Sequence, residues 1–241
     1  MTTDNGGSQM GSSRRTKSPP ETNMQPPVTQ PQAILFDMDG VLVSSERVHW
    51  KAYRDTFASE GVEYPWEAYR ATGLGISREN VMKKVLGQLE EEKLLELMKR
   101  KEDHVRTILD AEKVERVPGA LEFVKEARRH GLKTAVATSS RNPELFLGAG
   151  GYRDTFDLIV GRRDVQEPKP HPETYLAVAR KLGIPPALCL AFEDSPAGVE
   201  AALAADMPVF ALVTTHTREE LAGATAVLEG FDQVELDNLP L

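Results

Sequence analysis

The stretch Ala33-Ile34-Leu35-Phe36-Asp37-Met38-Asp39-Gly40-Val41-Leu42-Val43 decides the fold. Four apolar residues run straight into two carboxylates one residue apart, and a glycine follows. An unbroken apolar run of this length reads as a strand buried on both faces, the kind found in a parallel sheet. A strand that ends in Asp-x-Asp-Gly brings two acids to the carboxyl edge of that sheet, where open α/β sheets place their ligands. Gly40 permits a sharp backbone turn beside those acids. Asp-x-Asp-Gly also begins calcium loops. Here no further acids follow at loop spacing, and Val41-Leu42-Val43 comes instead.

Downstream, short apolar runs alternate with helical patterns, which predicts a parallel α/β sheet. The expected strands are Ala33–Phe36, Lys133–Ala137, Leu158–Val160, Leu188–Phe192 and Pro208–Leu212. Between them, a helix over Leu121–Arg129 closes at Gly131, and Pro143 and Pro172 suit first helical positions. Gly183 and Pro185 end the helix that carries Tyr175 and Leu182, and Ser195-Pro196 opens an alanine-rich one. The region from about Glu46 to Glu115 breaks the alternation. Val48, Ala52, Tyr53 and Phe57 mark an amphipathic helix, Ser77 caps a helix through Leu86, and Glu90 to Ala111 is charged and periodic. An all-helical insert over 47–115 is therefore expected between core segments 31–46 and 116–241, with Val117-Pro118-Gly119 as the return hinge. Two crossings between core and insert suit closure over a site.

At 241 residues, with 40% hydrophobic and 27% charged side chains, the chain can bury a sizeable core. A formal net charge of -8 argues against broad binding to nucleic acid or anionic membranes. It leaves room for an anionic substrate, because a metal and a few local cations can dominate one pocket. The single cysteine, Cys189, sits in an apolar run and reads as a core residue in a reducing compartment. Residues 1–30 are rich in Ser, Thr, Gly, Pro, Gln and Asn and read as a disordered tail. Arg14, Arg15 and Lys17 among serines are similar to a transit peptide, whereas Asp4, Glu21 and the prolines are not.

Four elements carry chemistry. Asp37 suits a nucleophile, and Asp39 a general acid/base. In Val136-Ala137-Thr138-Ser139-Ser140-Arg141-Asn142 a strand ends in hydroxyls and backbone N–H groups able to bind phosphate oxygens, with Asn142 placed to cap the helix that Pro143 opens. In Glu167-Pro168-Lys169-Pro170-His171 a lysine confined between prolines suits a fixed cation that neutralises phosphate charge, and His171 reads as part of a turn. In Ala191-Phe192-Glu193-Asp194-Ser195 two more carboxylates end an apolar strand. With Asp37 and the Asp39 carbonyl they could complete an oxygen-rich magnesium site.

These elements, in this order, resemble the haloacid dehalogenase superfamily of phosphotransferases over residues 33 to 241. The likeness is to the subgroup with a helical cap after the first motif, which holds β-phosphoglucomutase and many sugar-phosphate phosphatases. The resemblance implies a Rossmann-like parallel-sheet core with an inserted helical cap. It implies that Asp37 forms an aspartyl-phosphate and that Asp39 protonates the leaving oxygen, then activates water or a sugar hydroxyl. By the same resemblance Thr138 and Lys169 hold phosphoryl oxygens, and Asp37, Asp39, Glu193 and Asp194 bind Mg²⁺. His49, Gly75-Ile76-Ser77-Arg78 and Ser140-Arg141-Asn142 are similar to mutase positions. The substrate contacts expected are thus Ser139, Arg141, Asn142, His49 and Arg78. Two departures stand out: Leu74 replaces the cap lysine of the mutase motif, and Ser44 replaces a frequent Asp. Val213-Thr214-Thr215-His216-Thr217 is similar to the ending of many phosphatases in the group. The expectation is a Mg²⁺-dependent phosphatase of a small phosphorylated metabolite, a sugar phosphate, acting as a cytoplasmic monomer without nucleic-acid or membrane partners. The alternatives are a β-phosphoglucomutase-like hexose phosphate mutase and a non-catalytic binding protein on the same fold.

Overall fold

A computed structural model describes residues 1–3, 30–73 and 76–239. The tail reading, including Arg14, Arg15 and Lys17, falls on 4–29 and lies outside the described residues, as do Leu74 and Gly75. In chain order the elements are β1 (Ala33–Phe36), β2 (Val43–Ser44), α1 (Glu46–Ala58), α2 (Trp66–Thr72), α3 (Arg78–Leu86), α4 (Glu91–Ala111), β3 (Glu115–Arg116) and α5 (Ala120–Arg129). They continue with β4 (Lys133–Ala137), α6 (Pro143–Ala149), β5 (Leu158–Val160), α7 (Glu173–Leu182), β6 (Cys189–Glu193), α8 (Pro196–Ala204), β7 (Val209–Leu212) and β8 (Ala226–Leu228).

Six strands form one parallel sheet in the order β5-β4-β1-β6-β7-β8. The strand that opened the sequence argument is thus central, and all four of its residues are buried. Side chains alternate across a strand. Ile34 and Phe36 therefore enter one core layer with Phe123, Val124 and Phe146, while Ala33 and Leu35 enter the other with Tyr175, Val178 and Ala201. The first layer is aromatic: Phe36 stacks on Phe192 with ring centroids 5.5 Å apart, and Phe231 stacks on Phe192 at 5.2 Å. No helix among the described residues is long and apolar enough to cross a membrane.

Helices α1 to α4 pack around Tyr53, Phe57, Tyr64, Tyr69, Met82 and Leu97. The chain ends of this segment pass through an antiparallel ribbon in which Val43 pairs with Arg116 and Ser44 with Glu115. Val48 and Ala52 of α1 and Val105 and Leu109 of α4 share a core cluster with Phe146 and Leu147 of α6, which seats the cap on the core. Ser77 caps α3, its hydroxyl accepting from the Asn80 N–H at 3.3 Å.

Several local expectations change. Pro172 is the N-cap of α7, not its first residue. The His171 ring accepts from the Glu173 N–H at 3.3 Å, in the turn expected of it. Leu188 closes a 3-10 turn, so β6 begins at Cys189 and reaches Glu193. The helix α2, the ribbon β2–β3 and the edge strand β8 have no counterpart among the expected elements. Buried Cys189 donates to the Pro185 carbonyl at 3.6 Å, and burial pushes its thiol up to about 11, as suits an inert core residue.

Candidate active site

Asp37 emerges at the centre of the carboxyl edge, its N–H donating to the Phe192 carbonyl at 2.9 Å. Beyond it the chain doubles back at once: the Gly40 N–H donates to the Val43 carbonyl at 2.8 Å, and the Leu42 and Val43 N–H groups return to the Met38 carbonyl. Gly40 has φ +76°, and a Cβ there would collide with the Asp194 carboxylate, so both backbone and space require glycine. The same holds sterically at Gly198, where a Cβ would strike the Glu193 carboxyl group.

Lys169 ties this edge together. Its ammonium donates to Asp37 Oδ1 at 2.6 Å, Glu193 Oε1 at 2.5 Å and the Ala137 carbonyl at 2.8 Å. It also lies 3.4 Å from the Tyr175 hydroxyl, which itself donates to Glu193 Oε1 at 2.7 Å. The other Glu193 oxygen accepts from the Asp194 N–H at 3.1 Å and the Ser195 hydroxyl at 3.2 Å. Asp194 accepts from the Thr215 hydroxyl, and the Gly40 carbonyl accepts from Thr214 at 2.7 Å. The ending Thr214-Thr215 is thereby part of the site.

Burial lifts Asp37 to about 7, with the Glu193 and Asp39 charges adding to the rise and Lys169 opposing it. Burial also lifts Asp194 well above the usual carboxylate range, helped by Glu193 and Asp37. Lys169 shows the reverse balance: burial pulls it down, but the Asp37 and Glu193 carboxylates hold it above an ordinary lysine.

Asp39 is half-buried, and its Oδ1 is buried without a hydrogen-bond partner among the described residues. Burial raises its carboxyl, opposed by a hydrogen bond from Ser45 and the charge of Lys101. Lys101, on α4, is only 3% exposed. Its ammonium meets His49 Nδ1 at 3.0 Å and lies 4.8 Å from the centre of the Tyr53 ring. Burial and the nearby Arg78 push Lys101 down to about 7, and burial with the Lys101 and Arg78 charges drives His49 well below its usual value.

Thr138 is buried at the end of β4, its hydroxyl accepting from the Ser140 N–H at 3.1 Å, while Ser139 and Arg141 are exposed on the loop that follows. Asn142 is the N-cap residue of α6, yet its side chain makes no capping bond. It turns to the cap instead, its Nδ2 donating to Glu102 Oε1 at 2.9 Å. Arg78 also reaches Glu102, at 3.7 Å. The structure thus gathers Asp37, Lys169, Glu193 and Asp194 in one knot. It joins Arg78 and Asn142 through Glu102, and turns His49 toward Lys101.

The sequence reading missed Tyr175, Lys101 and Glu102. For Lys101 a signal was present, because it falls on the apolar stripe Leu94, Leu97, Val105 and Leu109 of α4, all buried. A lysine on such a stripe needs a polar partner brought by another segment.

The knot suits a cation. Asp37, Glu193 and Asp194 are buried, and Lys169 is the ammonium that Asp37 and Glu193 share. That leaves an excess of negative charge which lifts Asp37 and Asp194. Among the described residues no three His, Cys, Asp or Glu side chains are gathered at ligand spacing. Glu193, expected as a ligand, has both oxygens occupied by protein donors.

Comparison with known proteins adds the family. The family described as haloacid dehalogenase-like hydrolase matches residues 34–212. Protein CbbY of Rhodobacter capsulatus is 35% identical over 198 residues, which cover 78% of this chain and 87% of that one. The phosphorylated carbohydrates phosphatase of Thermotoga maritima is 35% identical over 179 residues, covering 72% and 81%. Among solved structures, CbbY from Rhodobacter sphaeroides in complex with phosphate superposes with a TM-score of 0.74 at 29% identity, covering 85% of this chain and 96% of that one.

Proposed function

The chain belongs to the haloacid dehalogenase-like hydrolase family and is a phosphoric monoester hydrolase; from that premise we propose that it is a Mg²⁺-dependent phosphatase of phosphorylated sugars working through an aspartyl-phosphate. The observation that carries this reading is the pairing of two unlike carboxyl groups: Asp37, gripped by Lys169 at 2.6 Å, and Asp39, whose Oδ1 is buried without a hydrogen-bond partner among the described residues. The first is positioned and charge-compensated for attack, and the second is raised toward the protonated form.

In the forward step an Asp37 oxygen bonds to phosphorus as the bond to the sugar oxygen breaks, and Asp39 gives that oxygen its proton. Water then attacks the same phosphorus and passes a proton to Asp39, releasing inorganic phosphate and regenerating the Asp37 carboxylate. Lys169 and Thr138 hold the phosphoryl oxygens. Mg²⁺ would be held by Asp37, the Asp39 carbonyl and Asp194, and would offset repulsion between the carboxylates and the phosphate. Glu193 serves this site by anchoring Lys169. In this reading Ser139, Arg141, Asn142, Arg78 and His49 are the residues that contact the sugar. The name of the T. maritima phosphatase supports a phosphorylated-carbohydrate substrate, and the phosphate in the CbbY structure supports a phosphate-binding site.

The test is a screen of phosphorylated sugars for phosphate release with MgCl₂ and with EDTA. Metal-dependent release from a subset of them is expected. Isomer formation without net phosphate release would replace this reading by the mutase one.

A further inference from the structure

Strand β7 lies beside β6 in the parallel sheet, so the loop that follows it, Val213-Thr214-Thr215-His216-Thr217, leaves the same edge as Glu193 and Asp194. Three consecutive side chains of that loop reach the site. The Thr214 hydroxyl donates to the Gly40 carbonyl at 2.7 Å. The Thr215 hydroxyl meets Asp194 twice, at Oδ2 and at the main-chain carbonyl, the latter at 3.2 Å. The His216 ring Nδ1 lies 2.9 Å from the same carbonyl, which can only accept. Gly40 sits between these groups, because a Cβ there would meet both the Asp194 carboxylate and the Thr215 methyl group. A β-branched side chain has few rotamers, so the packing of that methyl group helps to hold the hydroxyl on Oδ2. Among the described residues, Thr215 is the one side chain that donates to the Asp194 carboxylate. Asp37 is engaged in the same one-sided way, giving Oδ1 to Lys169 at 2.6 Å, while both Glu193 oxygens are occupied. Asp37 and Asp194 therefore each commit one oxygen to a protein donor and keep the other for a cation. Ca²⁺ fills a large shell and accepts bidentate carboxylates, whereas Mg²⁺ is smaller, takes few protein ligands and keeps water.

We propose that Thr215 selects the metal: by holding Asp194 Oδ2 it makes Asp194 a one-oxygen ligand, which favours Mg²⁺ over Ca²⁺ at this edge. Thr215 is a positioning residue, since it touches a ligand and not the ion. The inference rests on the phosphatase reading only in taking Asp37 and Asp194 as holders of the cation. Thr215→Val keeps the branched shape and removes the donor, so Asp194 can turn both oxygens to one ion. Thr215→Ser keeps the donor and loses the methyl group. Losing a group that orients a metal ligand costs about 10- to 100-fold in metal affinity.

The probes are Mg²⁺ and Ca²⁺ alone, each titrated by calorimetry into the full chain as parent, Thr215→Val, Thr215→Ser and Thr214→Val. The parent should bind Mg²⁺ more tightly than Ca²⁺. Thr215→Val should lower the ratio of Mg²⁺ to Ca²⁺ affinity by about tenfold or more, with Ca²⁺ binding no weaker than in the parent. Thr215→Ser should keep the ratio within about threefold of the parent. Thr214→Val loses a bond to Gly40 but none to Asp194, and should leave the ratio unchanged. A merely structural role would weaken both ions together, and that parallel loss overturns the proposal. So does an unchanged ratio in Thr215→Val, a parent that prefers Ca²⁺, or an equal fall in Thr215→Ser or Thr214→Val. If Thr215→Val does not fold, Thr215→Ala removes the same donor from an exposed position and is read by the same ratio. These readouts need no turnover. A parent that binds neither ion overturns both the metal site and this inference. A parent that binds Mg²⁺, with Thr215→Val indistinguishable from it, keeps the phosphatase reading and loses this one. A shifted ratio in a protein that releases no phosphate does the opposite.

Discussion

Two buried lysines, one at the sheet edge and one in the cap, meet opposite fates. Lys169 has hydrogen-bond partners from four directions: Asp37 after β1, Ala137 of β4, Tyr175 of α7 and Glu193 of β6. Two of those are carboxylates, and they hold it above an ordinary lysine. Lys101 faces a histidine ring nitrogen and the Tyr53 ring with Arg78 nearby, and falls to about 7. Burial pulls both down, so the neighbours set the sign. The sheet edge is a closed electrostatic unit built on strand ends. The cap cluster is an open one, assembled from helices, in which Lys101 meets another cation, Arg78, and a neutral ring in place of carboxylates within hydrogen-bond reach.

The sharpest way to test the closed unit is to remove its nucleophile. Asp37→Asn keeps the shape and one acceptor for Lys169 but loses the reactive oxygen. Phosphate release should drop at least about 10³-fold with the circular dichroism spectrum unchanged. Unaltered activity would move the chemistry elsewhere.

Glu193→Gln attacks the same unit through its anchor. It leaves Lys169 with Asp37 as its one carboxylate partner and turns an acceptor facing the Asp194 N–H into a donor. Urea unfolding should show a loss of about 4 kcal/mol, the cost of breaking a buried ion pair. A loss below 1 kcal/mol would mean that the two lysines are not held as differently as the geometry implies.

Lys101 gives the contrasting pH signature. Its depressed value means that the folded protein binds fewer protons than the unfolded chain between pH 7 and 10.5. Stability from this group therefore rises with pH across that window, by up to ~1.4 kcal/mol per unit, and is flat below pH 7. Lys101→Met should erase that slope and stabilise the protein at pH 7 by on the order of 3 kcal/mol. Unfolding at pH 7 and pH 9 measures both. The smallest effect belongs to Tyr175→Phe, which removes one donor to Glu193 and should cost about 1–2 kcal/mol with activity within tenfold of the parent.

The same contrast explains what could be read from the chain alone. The central strand, its carboxylates, Thr138, Lys169 and the Glu193-Asp194 pair sit in short segments whose local pattern states both strand and chemistry. Each element lands where its own hydrophobic run puts it. The edge strand β8 is half-buried and three residues long, too short for a period to declare itself, and only the stack of Phe231 on Phe192 shows that this end of the chain enters the core. The partners of Lys101 and Glu102 lie far away in sequence, 52 residues back to His49 and 61 forward to Arg163. No spacing rule spans such distances. Asn142 teaches the same lesson: its place before Pro143 predicts a helix cap, and the cap domain's Glu102 draws its side chain away.

The ribbon of β2 and β3 sets the two ends of the helical insert side by side, as neighbouring antiparallel residues are. Topologically the sheet therefore experiences everything from Ser45 to Val114 as one hairpin loop. Loop closure grows only slowly more costly with length, by roughly 0.6 kcal/mol for each doubling. Such a junction lets the insert lengthen, shorten or exchange its surface while the register of the six strands stays fixed. Inheritance can thus act on the two parts separately, keeping one reaction while trying many substrates.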